Sequence, residues 1–203
     1  MVIPESIQRR LRTLRAQREG IDVGFHRDVL VGGTVSCTRG CHHCCHYPLY
    51  VSLLEGILTY QWLSDHRLWV QELRNQFKSV AQQTWGLRME VWMLSNIPCP
   101  LLNGEGLCHA YGGRPLYCRT IYSRAPSHYC HPHRFVEATA GLVPRTEPTK
   151  ALAAAENQLF RSLKLNRTLL PFAVAVLYGE HITQGELDLR DATVLNLNDH
   201  KLW

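Results

Sequence analysis

Four thiols and three imidazoles crowd into ten residues, Cys37-Thr-Arg-Gly-Cys41-His-His-Cys44-Cys45-His46. Thiolate sulfur and imidazole nitrogen are the donors that zinc, iron and iron–sulfur clusters take. At this spacing one short loop can aim several of them at a single point. Gly40, directly before Cys41, suits the tight turn such a loop needs. A second set, Cys99, Cys108, Cys118 and Cys130, follows about fifty residues later. Ligands divided between two segments let a metal staple distant parts of a chain together. Seven of the eleven histidines (His42, His43, His46, His109, His128, His131 and His133) lie in or beside the cysteines. The preferred ligands are Cys37, Cys41, Cys44, Cys45, Cys99, Cys108 and Cys118, with Cys130 next. The histidines are held in reserve as ligands or as donors around them. At four ligands per zinc or per iron–sulfur cluster, eight cysteines serve two sites or one site with spares.

The even cysteine count also permits four disulfides in an exported protein. Adjacent Cys44-Cys45 and an N-terminus without a continuous apolar stretch speak against that. The longest apolar run, residues 169–178, is interrupted by Pro171 and is too short to cross a bilayer. The expected setting is therefore reducing and cytoplasmic, with no membrane contact. The net charge is +5, and five arginines (Arg9, Arg10, Arg12, Arg15 and Arg18) fall in the first helical stretch. They read as a solvated face, or as an arm that docks on an acidic protein or on nucleic acid. The apolar stripe Ile7, Leu11 and Leu14 on the same stretch favours a protein partner or a larger assembly over nucleic acid.

Periodicity and breakers predict a mainly α chain: a small, irregular domain of packed helices and long loops pinned by metal. The first helix is expected over residues 4–18, with Gly20, Gly24, Gly32 and Gly33 marking an irregular segment after it. Residues 52–64 read as a helix that opens on a capping box, Ser52 with Glu55. A second helix is expected over 65–84, ended by Gly86, and a short one over 87–94. Pro98, Pro100, Gly104 and Gly106 make 97–107 a loop. Cys108 to Tyr111 suggests one helical turn, and Pro115 opens a helix bearing Cys118 and Arg119. The His-rich stretch 123–148 is expected to wrap over the metal region. Helices are expected over 149–163 and, despite Pro171, over 166–178, with Gly179 ending the latter. Three parts follow: residues 1–34 as a basic helix and linker, 35–135 as the cysteine domain, and 136–203 as a helical extension packed on it.

Three features together resemble one family. They are Cys37-x3-Cys41-x2-Cys44-Cys45, then Cys99-Pro-Leu-Leu-x4-Leu-Cys108-x-Ala-Tyr, then Arg114-Pro-Leu-Tyr-Cys118-Arg119. Their order is similar to that of the YkgJ-type cysteine-cluster family, which carries a C-x-x-C-x-x-C-C-like cluster, an apolar acid-tipped helix, a C-P-F-L-like loop and R-P-x-x-C-R. The resemblance spans about residues 35 to 122. Here the first spacing is x3, and His42-His43 replace the family's usual Gly near the third cysteine. The resemblance implies chelation of zinc or an iron–sulfur centre and implies no single reaction. Arg114 and Arg119, beside Cys118, are placed to donate to thiolate sulfur and temper its negative charge, a cofactor-binding role.

Three rival readings share these residues, one of them a nucleophilic cysteine paired with His42, His43 or His46, whose neighbouring thiols would compete for the same imidazoles. Cys37-x3-Cys41-x2-Cys44 also has the spacing of radical S-adenosylmethionine enzymes, which need alternating strands and helices after the cluster. A structural component of a larger assembly, stapled by its metal, is the third, and it is compatible with chelation. No paired carboxylates, nucleotide loop or triad marks a substrate site, so the reading stops at metal binding with a structural or redox role rather than catalysis.

Overall fold

The computed structural model describes residues 3–31, 35–134, 142 and 147–194. In chain order its elements are α1 (Glu5–Val31), β1 (Tyr50–Ser52), α2 (Leu53–Asp65), α3 (Gln71–Thr84), α4 (Met89–Ser95), α5 (Leu116–Thr120), α6 (Glu147–Ser162), β2 (Leu169–Pro171), α7 (Phe172–Gln184) and α8 (Leu189–Val194). Short 3-10 turns lie at His43–His46, Ser127–Cys130 and Pro132–Arg134. The chain is mainly α, as its periodicity predicts.

Two strand–helix units form the centre. β1 and β2 pair antiparallel, with Val51 opposite Leu170, and each runs straight into a helix. Ser52 caps α2 by accepting the Glu55 N–H at 3.2 Å, the bond the capping box predicts. α7 has no charged residue from Phe172 to Gly179 and is buried along that whole stretch, as a helical segment without a polar face must be. The two helices touch backbone to backbone. A Cβ on Gly56 would stand 2.2 Å from the Ala175 carbonyl oxygen, and one on Gly179 would stand 2.8 Å from the Ile57 Cα. Gly179 therefore makes a crossing where the sequence suggests a stop, and the helix ends instead at Gly185, at φ 79°. Packed around this crossing are Phe77 of α3, which meets Phe172 at 5.8 Å between ring centres, and Trp69, 5.1 Å from Phe77.

Several boundaries differ from expectation for identifiable reasons. The helix expected over 65–84 starts only at Gln71. Arg67 adopts φ 57° and closes α2, with its N–H on the Ser64 carbonyl at 3.0 Å and the Leu68 N–H on Leu63 at 2.8 Å. That paired pattern usually uses glycine, so nothing in the sequence marked it. Pro171 ends a strand rather than entering a helix, and Phe172 N–H, the next donor along, takes the Leu49 carbonyl at 2.8 Å. α1 runs on through Gly20 and Gly24 to Val31. Gly32, Gly33, residues 135–141 and 143–146 of the stretch expected to wrap over the metal region, and the tail from residue 195 lie outside the described residues.

α1 packs against α6 and touches α2 and α5. Leu11 and Leu14 are 1% and 6% exposed. Of the two placements open to this stripe, on its own domain or in a partner's groove, Leu11 and Leu14 take the first. Arg10 donates to Ser162 on α6 at 2.6 Å and Arg15 to Asp65 at the end of α2 at 2.6 Å. The two-stranded sheet is no α/β barrel, so among the described residues the radical S-adenosylmethionine reading lacks its scaffold.

Candidate metal centre

All eight cysteines are free thiols, and Cys44 is the exposed one. Loops rather than helices carry most of them, because each must turn its sulfur toward a common region. Cys41 follows a turn in which its N–H reaches the Thr38 carbonyl at 3.0 Å and Gly40 sits at φ 85°. The 3-10 turn His43–His46 then presents Cys44 and Cys45. The second segment is tied to the first through the backbone: the Cys99 N–H donates to the Cys45 carbonyl at 2.7 Å. From Cys99 the chain doubles back so that Leu102 bridges Cys108. Asn103 Oδ1 holds that loop by accepting the N–H groups of Glu105 and Leu107 at 3.0 and 2.8 Å. α5 follows and carries Cys118.

The thiols act on one another electrostatically in two groups that share Cys44. Cys37, Cys41 and Cys130 form one group with Cys44, and Cys99, Cys108 and Cys118 form the other. Burial first, then neighbouring sulfur, raises the pKa of all six. For Cys44 the hydrogen bond with Cys45 is the largest cause of a rise, ahead of desolvation. These seven thiols are therefore held toward the protonated form until something compensates their charge, which a bound cation does when it displaces the protons. The donor set fits zinc or iron in kind. In position, among the described residues, no three His, Cys, Asp or Glu side chains are gathered closely enough to hold one ion as they stand. Binding would have to draw the loops inward.

The two arginines differ from each other. Arg114 is 8% exposed, and its guanidinium stacks over Tyr111 at 3.5 Å. Its charge opposes burial at Cys44, Cys108 and Cys118, favouring their thiolates. Arg119 is fully buried, and it donates from Nε to the Arg114 carbonyl at 2.8 Å and from Nη2 to the Gly112 carbonyl. It braces the turn between Cys108 and Cys118. Among the histidines, His42, His43, His46, His131 and His133 form a continuous row of ring contacts. His109 and His128 are exposed, and His128 packs on Tyr129.

Residues unmarked by the sequence motifs also build the site. Ser123 donates its N–H to Cys37 Sγ at 3.4 Å, and its side chain bonds Cys130, joining the two ends of the cysteine domain. Tyr47 donates to the Cys130 carbonyl at 2.5 Å. Glu55 accepts the Leu116 N–H at 2.6 Å and so caps the start of α5. Arg18 of α1 and Thr59 of α2 both donate to the Gly113 carbonyl, at 3.0 and 3.2 Å. Only the acidic tip of the α2 stretch could have flagged one of them, Glu55.

A family model described as "Putative zinc- or iron-chelating domain" (CxxCxxCC) matches residues 36–135, which bears out the resemblance drawn from the motifs. Neither the curated proteins nor the solved structures hold a match to the chain.

Proposed function

Residues 36–135 belong to the CxxCxxCC family, and on that premise we propose that the chain binds zinc or an iron–sulfur cluster through two cysteine segments that close on each other. The observation that carries this reading is the backbone tie between the segments, the Cys99 N–H donating to the Cys45 carbonyl at 2.7 Å, which brings the second set of cysteines up to the Cys44–Cys45 turn. Cys37, Cys41, Cys44, Cys45, Cys99, Cys108, Cys118 and Cys130 are the candidate ligands. Arg114 is the cation that tempers the charge of Cys44, Cys108 and Cys118, with Arg119 adding to it at Cys108. A bound metal would supply the cross-link that these loops lack, and an iron–sulfur cluster would add one-electron chemistry. Elemental analysis of protein purified under nitrogen tests this. Zinc or iron in amounts comparable to the protein is expected, and absence of both overturns the reading. An oxygen-sensitive visible absorbance selects the redox role, and a colourless zinc protein selects the structural one.

A partner protein is a second reading, carried by Arg9 and Arg12, which stay exposed on α1 while its apolar side is buried. An acidic surface, within a larger assembly, is the partner this face suits, and nucleic acid is the less favoured one. Arg9→Glu with Arg12→Glu should abolish co-purification of such a partner without changing metal content. Salt-sensitive binding of the intact protein to DNA or RNA would count against the choice.

A further inference from the structure

The row of imidazoles lies among the thiols, yet two of its members are arranged differently from the rest. His42 Nδ1 lies 2.9 Å from the Gly40 carbonyl oxygen, and His46 Nδ1 lies 3.3 Å from the His42 carbonyl oxygen. A carbonyl oxygen only accepts, so in both rings Nδ1 carries the hydrogen and Nε2 keeps its lone pair. Metal-ligating imidazoles are held in this way, one nitrogen donating to a backbone carbonyl and the other facing the ion.

The spacing also suits a shared ion. With metal–nitrogen bonds of about 2.0–2.1 Å, two imidazoles on one tetrahedral ion place their ring centres roughly 5 Å apart. The centres of His42 and His46 are 5.7 Å apart. The His42 ring has its place because Gly106, at φ 74°, has no side chain: a Cβ there would stand 2.8 Å from His42 Nδ1. His131 lacks this arrangement. Its Nδ1 accepts the His133 N–H at 3.4 Å, which puts its hydrogen on Nε2.

We propose that His42 and His46 form a second cation site, independent of thiolate, that takes a divalent borderline ion such as zinc, nickel or cobalt through their two Nε2 atoms. Water completes the coordination. Two protein ligands make the site an exchangeable one, and it does not depend on whether the cysteines are loaded.

Cobalt tests this. The full chain is saturated with zinc under nitrogen, stripped of excess and of exchangeable zinc on a weak chelating resin, and titrated with cobalt, with both metals counted. The expected result is about one cobalt per chain, bound without a sulfur-to-cobalt charge-transfer band and without release of zinc. His42→Gln with His46→Gln should weaken that binding at least about tenfold and keep the zinc. His131→Gln with His133→Gln should leave both unchanged. In unmutated protein the ring signals of His42 and His46 should be the first imidazole resonances that paramagnetic cobalt broadens. Cobalt that displaces zinc and shows the charge-transfer band overturns the proposal. So does cobalt uptake that survives the His42/His46 exchange, or first broadening elsewhere. If the cysteine reading fails instead, the zinc count is nil while the His-dependent, band-free cobalt remains.

Discussion

Arg114 and Arg119 sit five residues apart and look equivalent in the sequence, yet their surroundings divide the work between them. Arg114 puts charge beside Cys44, Cys108 and Cys118, whereas Arg119 reaches only Cys108 among them with its charge and directs its donors to the carbonyls of Arg114 and Gly112. Arg114→Met should therefore weaken zinc binding about 10- to 100-fold with little change in thermal unfolding, read by competition with a chelator. Arg119→Ala leaves two turn carbonyls without a charged donor and should cost on the order of 2–3 kcal/mol of stability whatever the metal state. Equal effects of the two changes on metal affinity would refute the division. Cys44, shared by both thiol groups, sets a second expectation. Cys44→Ser should lower metal content more than Cys130→Ser, because Cys130 belongs to one group and Cys44 to both. Similar losses from the two substitutions would argue that the ligands are not organised around Cys44.

At the scale of elements, the crossing of α2 and α7 is the contact with least tolerance. Gly56→Ala would drive a methyl into the Ala175 backbone, and both partners of that clash are main chain. The helices must separate, at a cost of at least about 2 kcal/mol, or roughly 4–8 °C in Tm for a chain of this size. An unchanged melting temperature would mean that the crossing is looser than it stands here. α6 adds a pH dependence through Glu156, which is 7% exposed, accepts from Ser52 and lies 3.6 Å from Arg167. Burial first, then the Glu55 charge, pushes its pKa up from 4.5 to about 7. A carboxyl raised in the folded state binds its proton more tightly there than in the unfolded chain. Its contribution is complete below pH 4.5 and is lost as pH rises through 7. Between those limits the protein should lose up to about 3 kcal/mol relative to Glu156→Gln, measured as urea midpoints of both proteins across that range. Parallel curves would show that Glu156 titrates normally.

Considered whole, the molecule has an apolar core and a loop-built thiol region, and they draw on different forces. The core of α2, α3 and α7 is held by burial of residues such as Ile57, Leu63, Phe77 and Val176, all 0% exposed. Removing metal with a chelator should therefore leave far-ultraviolet helical signal nearly intact while protease sites open in residues 97–112. Collapse of the helical signal on chelation would mean that metal holds the core as well. α1 belongs to this whole. It buries Leu11 and Leu14 and sends Arg18, its pKa pushed down to about 10 by burial, to the Gly113 carbonyl between two cysteines. Deleting residues 1–19 should lower stability sharply and weaken metal retention rather than leave the metal domain untouched.

The sequence by itself determined which atoms meet the metal region in kind. Cysteine and histidine side chains have few other uses at that density, and short spacing needs no knowledge of the fold to be read. It also determined the capped start of α2, the mainly α class and the family of residues 36–135, because capping and periodicity are local and motif order is preserved in the chain. Only the tertiary structure decided that Cys44 is shared, that Ser123 ties Cys37 to Cys130, and that α1 closes on α6 instead of offering its stripe outward. Those outcomes depend on which surfaces meet between segments far apart in the chain, 86 residues for Ser123 and Cys37, as do the strand at Pro171 and the glycine crossing. A stripe of three apolar residues looks the same whether its own chain or another covers it. The difference lies in the apolar face of α6, nearly 140 residues downstream.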